Sequence, residues 1–172
     1  MRYFTQNKLA EYLGHTFRER LLKDNLVLTI IEGTSKMLTV RPEHYKGESV
    51  LDENAYHAKF GAVKFELHVN PIIKNGKVTV SYKGQTNLED ITTWPEFNIF
   101  PWNSGNLMGN IGGDFLKTSG ARNTFVRDKV KFPAWLEIVQ RYQKQLERDT
   151  KSLLQSQDIR KRQDENKKLK IA

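Results

Sequence analysis

Residues 63–83, VKFELHVNPIIKNGKVTVSYK, constrain the fold more than any other stretch. Val63, Phe65, Leu67 and Val69 alternate with Lys64, Glu66 and His68, and Val78, Val80 and Tyr82 alternate with Thr79, Ser81 and Lys83. A period of two means strands with one apolar and one polar face. Between the runs, Asn75-Gly76 is the dipeptide best suited to the positive φ angles of a tight hairpin turn. The spacing predicts an antiparallel hairpin pairing Ile73 with Val78, Pro71 with Val80 and Val69 with Tyr82, all on one apolar face. Pro71 has no N–H for a ladder, so it marks a bulge or points its nitrogen outward. The other face carries Lys64, Glu66, His68, Asn70, Ser81 and Lys83, and is the expected working surface.

A second hairpin is expected in LVLTIIEGTSKMLTVRP, residues 26–42. A loop of Gly33, Thr34 and Ser35 pairs Glu32 with Lys36, Ile30 with Leu38 and Leu28 with Val40. Upstream, Leu9, Tyr12, Leu13, Phe17 and Leu21 recur at three- and four-residue steps, which predicts an amphipathic helix over 5–24 with Thr5 as its N-cap. Residues 42–59 read as a polar connection with a short helix from about Leu51, and residues 94–125 as an irregular, glycine-rich segment. A long helix is expected from Pro133 to about Leu154, with Trp135, Val139, Tyr142, Leu146 and Leu153 along one seam. The expected architecture is α+β: an antiparallel sheet of two hairpins, an N-terminal amphipathic helix and a long C-terminal helix. Both helices are expected on the apolar sheet face. Residues 1–155 form a single domain in this reading, and residues 156–172 a basic mixed-charge tail, frayed or disordered unless a partner orders it.

The chain's 172 residues carry a formal charge of +8 and no cysteine. Disulfides and thiolate chemistry are therefore excluded, and a reducing, cytoplasmic setting is expected. The first dozen residues lack the apolar core of a signal peptide, and no apolar run approaches bilayer length, so no membrane association is expected. Excess basic charge favours nucleic acid. Residues 133–172 hold ten Lys or Arg against six Asp or Glu, concentrated in Arg160, Lys161, Arg162, Lys167, Lys168 and Lys170. No aromatic residue interleaves them, so they suit a phosphate backbone rather than stacked bases.

Catalytic signals are thin. The glycine-rich stretch 103–120 lacks both the Walker and the Rossmann spacing, which leaves a loop folded over the sheet, and no cofactor is expected. Asp52, Glu66 and His68 are the only weak catalytic candidates, as a carboxylate pair and base that could hold a divalent cation, but Glu66-Leu67-His68 lacks the lysine such a nuclease site uses. Glu53 and His57 would share a helix face at a spacing too generic for a metal site. The primary expectation is a non-catalytic nucleic-acid-binding accessory module. It would contact phosphates through Lys64, His68 and Lys83 on the sheet and through Arg160, Lys161, Arg162, Lys167 and Lys168 in the tail. The alternative is a structural or assembly protein that docks on itself or another protein through Trp135, Tyr142, Leu146 and Leu153. A divalent-metal-dependent nuclease is the third.

Overall fold

The strand expected at residues 63–69 is β4 (Gly61–Val69), and its burial alternates as the pattern requires, with Val63, Phe65, Leu67 and Val69 fully buried. The computed structural model describes residues 5–34, 36–121 and 124–171, with side chains as far as Lys167. The protein is α+β. It begins with α1 (Gln6–Thr16) and α2 (Arg18–Lys23), followed by β1 (Thr29–Glu32) and β2 (Lys36–Thr39). Then come β3 (Glu48–His57), β4, β5 (Val78–Tyr82), β6 (Gln85–Leu88) and β7 (Leu107–Gly112). A two-residue ladder of β8 (Lys117–Thr118) and β9 (Phe125–Val126) leads to α3 (Lys131–Arg141) and α4 (Gln143–Ile171).

The main sheet has five strands in the order β3-β4-β7-β5-β6. This corrects the expected sheet of two antiparallel hairpins. β4 and β5 are not partners, because β7 lies between them, antiparallel to β4 and parallel to β5. Phe65 faces Ile111, and Val80 faces Ile111 from the other side. The connection 70–77 is held away from a hairpin by the start of β7. Asn70 donates its backbone N–H to the Asn106 carbonyl, Asn106 Nδ2 returns a bond to the Ile73 carbonyl at 2.6 Å, and Gly76 N–H bonds the Gly105 carbonyl. Neither Asn75 nor Gly76 has a positive φ. Gly76 is needed instead for closeness, since a Cβ there would lie 2.9 Å from the Gly105 and Leu107 carbonyl oxygens.

Two further expectations change. The short helix from Leu51 is the long edge strand β3, which forms a true hairpin with β4 through residues 58–60. The middle of the supposed irregular segment is β7, the central strand. The 26–42 hairpin forms in the expected register, Glu32 opposite Lys36 and Ile30 opposite Leu38, but as a separate two-stranded sheet, with Ser35 outside the described residues.

The helices take opposite faces, where one face was expected for both. α3 lays Phe132, Trp135, Ile138 and Val139 on the apolar face, and α4 adds Leu146. Trp135 Nε1 donates to the Gly112 carbonyl at 2.8 Å, and Trp94 meets Trp135 edge-on. Each such buried side chain contributes about 1.5–3 kcal/mol. α1, capped by Thr5, and α2 lie with β1–β2 across the polar face instead. Gly14 is buried there against the 41–43 segment, its carbonyl accepting from Glu43 N–H. Beyond Gln157, α4 runs to Ile171 with every described side chain exposed. Among the described residues, no helix is long and apolar enough to cross a membrane.

Candidate nucleic-acid interface

The polar face is not an open surface. Arg18, at the start of α2, grips Glu66 of β4 with both terminal nitrogens, at 2.6 and 2.7 Å, and its Nε donates to the Glu43 carbonyl at 2.7 Å. The guanidinium carbon sits 4.1 Å from the centre of the Tyr45 ring, and that ring lies 5.7 Å from His68. Burial alone would raise the Glu66 carboxyl, but the hydrogen bonds and charge of Arg18 outweigh it and hold Glu66 below the usual carboxylate range. Burial pushes the Tyr45 hydroxyl up to about 12. Lys64 reaches Glu19 of α2 at 3.5 Å. Asn110, Thr79 and Ser81 complete a hydrogen-bonded polar layer beneath.

This arrangement relocates the sequence candidates. Lys64 and His68 are brought together with Glu66 but half-buried, Lys64 reaching Glu19 of α2 and His68 lying against the Tyr45 ring. Lys83 is exposed in the β5–β6 turn with its ammonium over Tyr82, beside α2 and across the sheet from α4. Asp52 lies opposite Glu66 in the β3–β4 pair. Both Glu66 oxygens are occupied by a guanidinium, which repels a divalent cation. Among the described residues, no group of three or more His, Asp and Glu is placed to hold a metal ion. The nuclease reading finds no support in this geometry. Trp135 and Leu146 are fully buried in the chain's own core, and Tyr142 and Leu153 pack against it, so the seam assigned to a partner faces inward.

A row of exposed cations follows α4. A helix returns to the same side every three to four residues. Lys144, Arg148, Lys151, Gln155, Ile159, Arg162 and Asn166 fall at such steps and are all exposed, while Leu146 and Thr150 are buried on the opposite side. No acidic residue lies on that outer stripe; Glu147, Asp149, Asp158 and Glu165 flank it. From Lys144 to Arg162 the stripe extends about 27 Å. Arg148 Nε stands 3.0 Å from Asp149, and Lys151 reaches over the Phe100 ring. The helix is held from beneath by Gln143, which donates to the Phe100 carbonyl and accepts from Trp102, and by the bond from Tyr142 to Glu53.

Of the tail cations, Lys161 lines a cleft of about 380 Å³ with Lys74, Ile72 and Asp158. Arg160 lines a second, of about 280 Å³, with Glu48 and Asn70. Pro71 and Gln157 are shared by both clefts. Lys167 is exposed farther out, and the Lys168 side chain lies outside the described residues. Sequence reasoning missed Lys74, Lys144, Arg148 and Lys151. The last three were legible, because they hold the side opposite the apolar seam on a helix that was expected. No family model matches the chain, and no significant match to a curated protein or to a solved structure was found.

Proposed function

We propose that this chain is a non-catalytic nucleic-acid-binding module whose docking element is the outer face of α4. The observation that carries the reading is the acid-free stripe of Lys144, Arg148, Lys151 and Arg162 on a helix whose first part, as far as Leu153, is anchored in the core. A rigid helix presents its cations at fixed spacing, so less side-chain and backbone freedom is lost on meeting a phosphate track. Arg160, Lys161 and Lys167 extend the same positive helix past the domain. The sheet residues Lys64, held by Glu19, and His68, held against Tyr45, are not part of this interface.

The test is binding of the full chain to a duplex of about 20 base pairs, by fluorescence anisotropy, at about 50 to 200 mM salt. Each phosphate contact contributes about 0.9 to the slope of log affinity against log salt. Changing Lys144, Arg148, Lys151 and Arg162 together to Gln should flatten that slope by about 3.6 and weaken binding strongly at low salt. Lys64→Gln with Lys83→Gln should leave it unchanged. A fourfold variant that binds like the parent, or a parent that does not bind at about 50 mM salt, would overturn the proposal.

One observation favours an assembly protein of a different kind, docking through the β1–β2 hairpin rather than through the C-terminal helix. Val27, Ile31 and Met37 are exposed together on the β1–β2 hairpin, with Ile31 opposite Met37. In that reading a second copy covers the hairpin, and sedimentation of the full chain would show a concentration-dependent dimer that Met37→Lys abolishes.

A further inference from the structure

Among the described residues, none of 5–43 belongs to the main apolar core. The main cluster of buried apolar side chains begins at Leu51 and ends at Leu146, and its partly buried satellites run from Val50 to Leu153. Within α1, α2, β1 and β2 and their joins, the buried residues are Gly14, Thr16, Arg18 and Val40, while Leu9, Leu13, Phe17 and Leu21 are only half-buried. The ties from this segment to the sheet are polar. They are the paired bonds from Arg18 to Glu66, the contact of Glu19 with Lys64, the bond from Arg20 Nε to the Lys83 carbonyl, and the bridge from His15 to Glu89. Beneath them Thr16, Arg18 and Tyr45 close over Ser81 and Asn110, leaving a recess of only about 10 Å³.

We propose that residues 5–43 are a cover that lifts from the polar sheet face as a unit, hinged on residues 44–47, while the α3–α4 core stays folded. The opening free energy of a region follows the apolar surface it buries, and this segment buries little. A two-stranded hairpin gains stability of its own by packing against a helix, as β1–β2 does against α1, so the segment can keep its structure when it lifts. Its hold on the sheet rests on a few charged and polar ties that single substitutions delete. Lifting exposes Lys64, Glu66 and His68 together, the surface that the alternation in β4 and β5 presents when nothing covers it. The cover is thus a gate on that face, closed by Arg18.

The absence of native cysteine gives a clean test. Ser81 and Val80 are neighbours on β5, exposed 3% and 0%, but Ser81 lies under the cover and Val80 in the main apolar core. Ser81→Cys and Val80→Cys are made separately in the full chain and labelled with iodoacetamide under native conditions. The fluorescence of Trp94, Trp102 and Trp135, all in the main core, verifies that each variant is folded. The expected result is labelling of Ser81→Cys at least about tenfold faster than of Val80→Cys, with a further acceleration by Arg18→Met that leaves the Val80→Cys rate unchanged. Should Arg18→Met lose the native fluorescence, Glu66→Gln removes the same tie. Equal rates at the two cysteines, or a variant that accelerates both alike, would show one cooperative unit and overturn the proposal.

Discussion

Gly109→Ala puts the central strand to its severest test. Gly109 sits in β7 with φ of 140°, between Leu67 of β4 and Val78 of β5. A Cβ there would stand 2.0 Å from the Glu66 carbonyl oxygen and 2.9 Å from the Leu67 Cα. Carbon and oxygen on adjacent strands approach to about 3.3 Å, so β4 and β7 must part by roughly 1 Å. The backbone conformation adds about 1–3 kcal/mol for any residue with a side chain. Two weakened ladder bonds add about 1 kcal/mol each. Together these predict a loss of about 4 kcal/mol, which lowers Tm by about 10 °C for a chain of this length. Urea unfolding followed by tryptophan fluorescence measures it, with Gly120→Ala as the control, because nothing lies within 4 Å of a Cβ there. A Gly109→Ala protein within about 1 kcal/mol of the parent would refute the close strand approach that places β7 in the middle of the sheet.

Three further outcomes are expected. The hydrogen bond from His15 to Glu43, helped by Glu89 and opposed by burial, raises the imidazole to about 9 from 6.5. A raised folded-state value contributes stability that is complete below about 6.5 and lost as pH rises through about 9, so Tm should fall across that window and His15→Gln should flatten the fall. Trp135→Phe removes the donor to the Gly112 carbonyl and leaves a void, and should cost about 3 kcal/mol in urea unfolding. Leu146→Ala, fully buried, should cost about 2–5 kcal/mol, whereas Ile159→Ala, on the free part of α4, should stay within about 0.5 kcal/mol.

Alternation fixes which way a side chain points, not which strand lies beside it. Phe65 and Val80 share the apolar face whether β4 and β5 touch or have β7 between them, so the face was legible and the neighbour was not. The sequence LMGNIG of β7 hides its role because two of its six residues are glycine, and at Gly109 the backbones crowd so closely that a side chain does not fit. β3 was obscured for a different reason. This edge strand carries the exposed Glu48, Asp52, Glu53 and Asn54 on both of its faces, polar residues that discourage edge pairing and that read as loop. The β1–β2 register was readable because turn length, apolar pairing and the Glu32–Lys36 pair agree. At the site, the basic helix was legible from local spacing. The loss of Lys64 and His68 to the interior was not, since it depends on Arg18, 48 residues from Glu66.

The parallel pairing of β5 with β7 also sets an order of assembly. As the chain is made from its N-terminus, β3 and β4 can zip at once through their short turn, and β5 can fold back on β6. These two ribbons have no bond to each other in the finished sheet; what joins them is a strand that begins at Leu107. Until residues 107–112 emerge, β4 and β5 present facing, unfilled edges, and the Asn75-Gly76 signal between them invites a local hairpin that the native sheet does not contain. Any such mispairing must come apart before β7 can enter. The last strand into the sheet is therefore its keystone, and the search for it makes folding slow relative to the speed of its two ribbons.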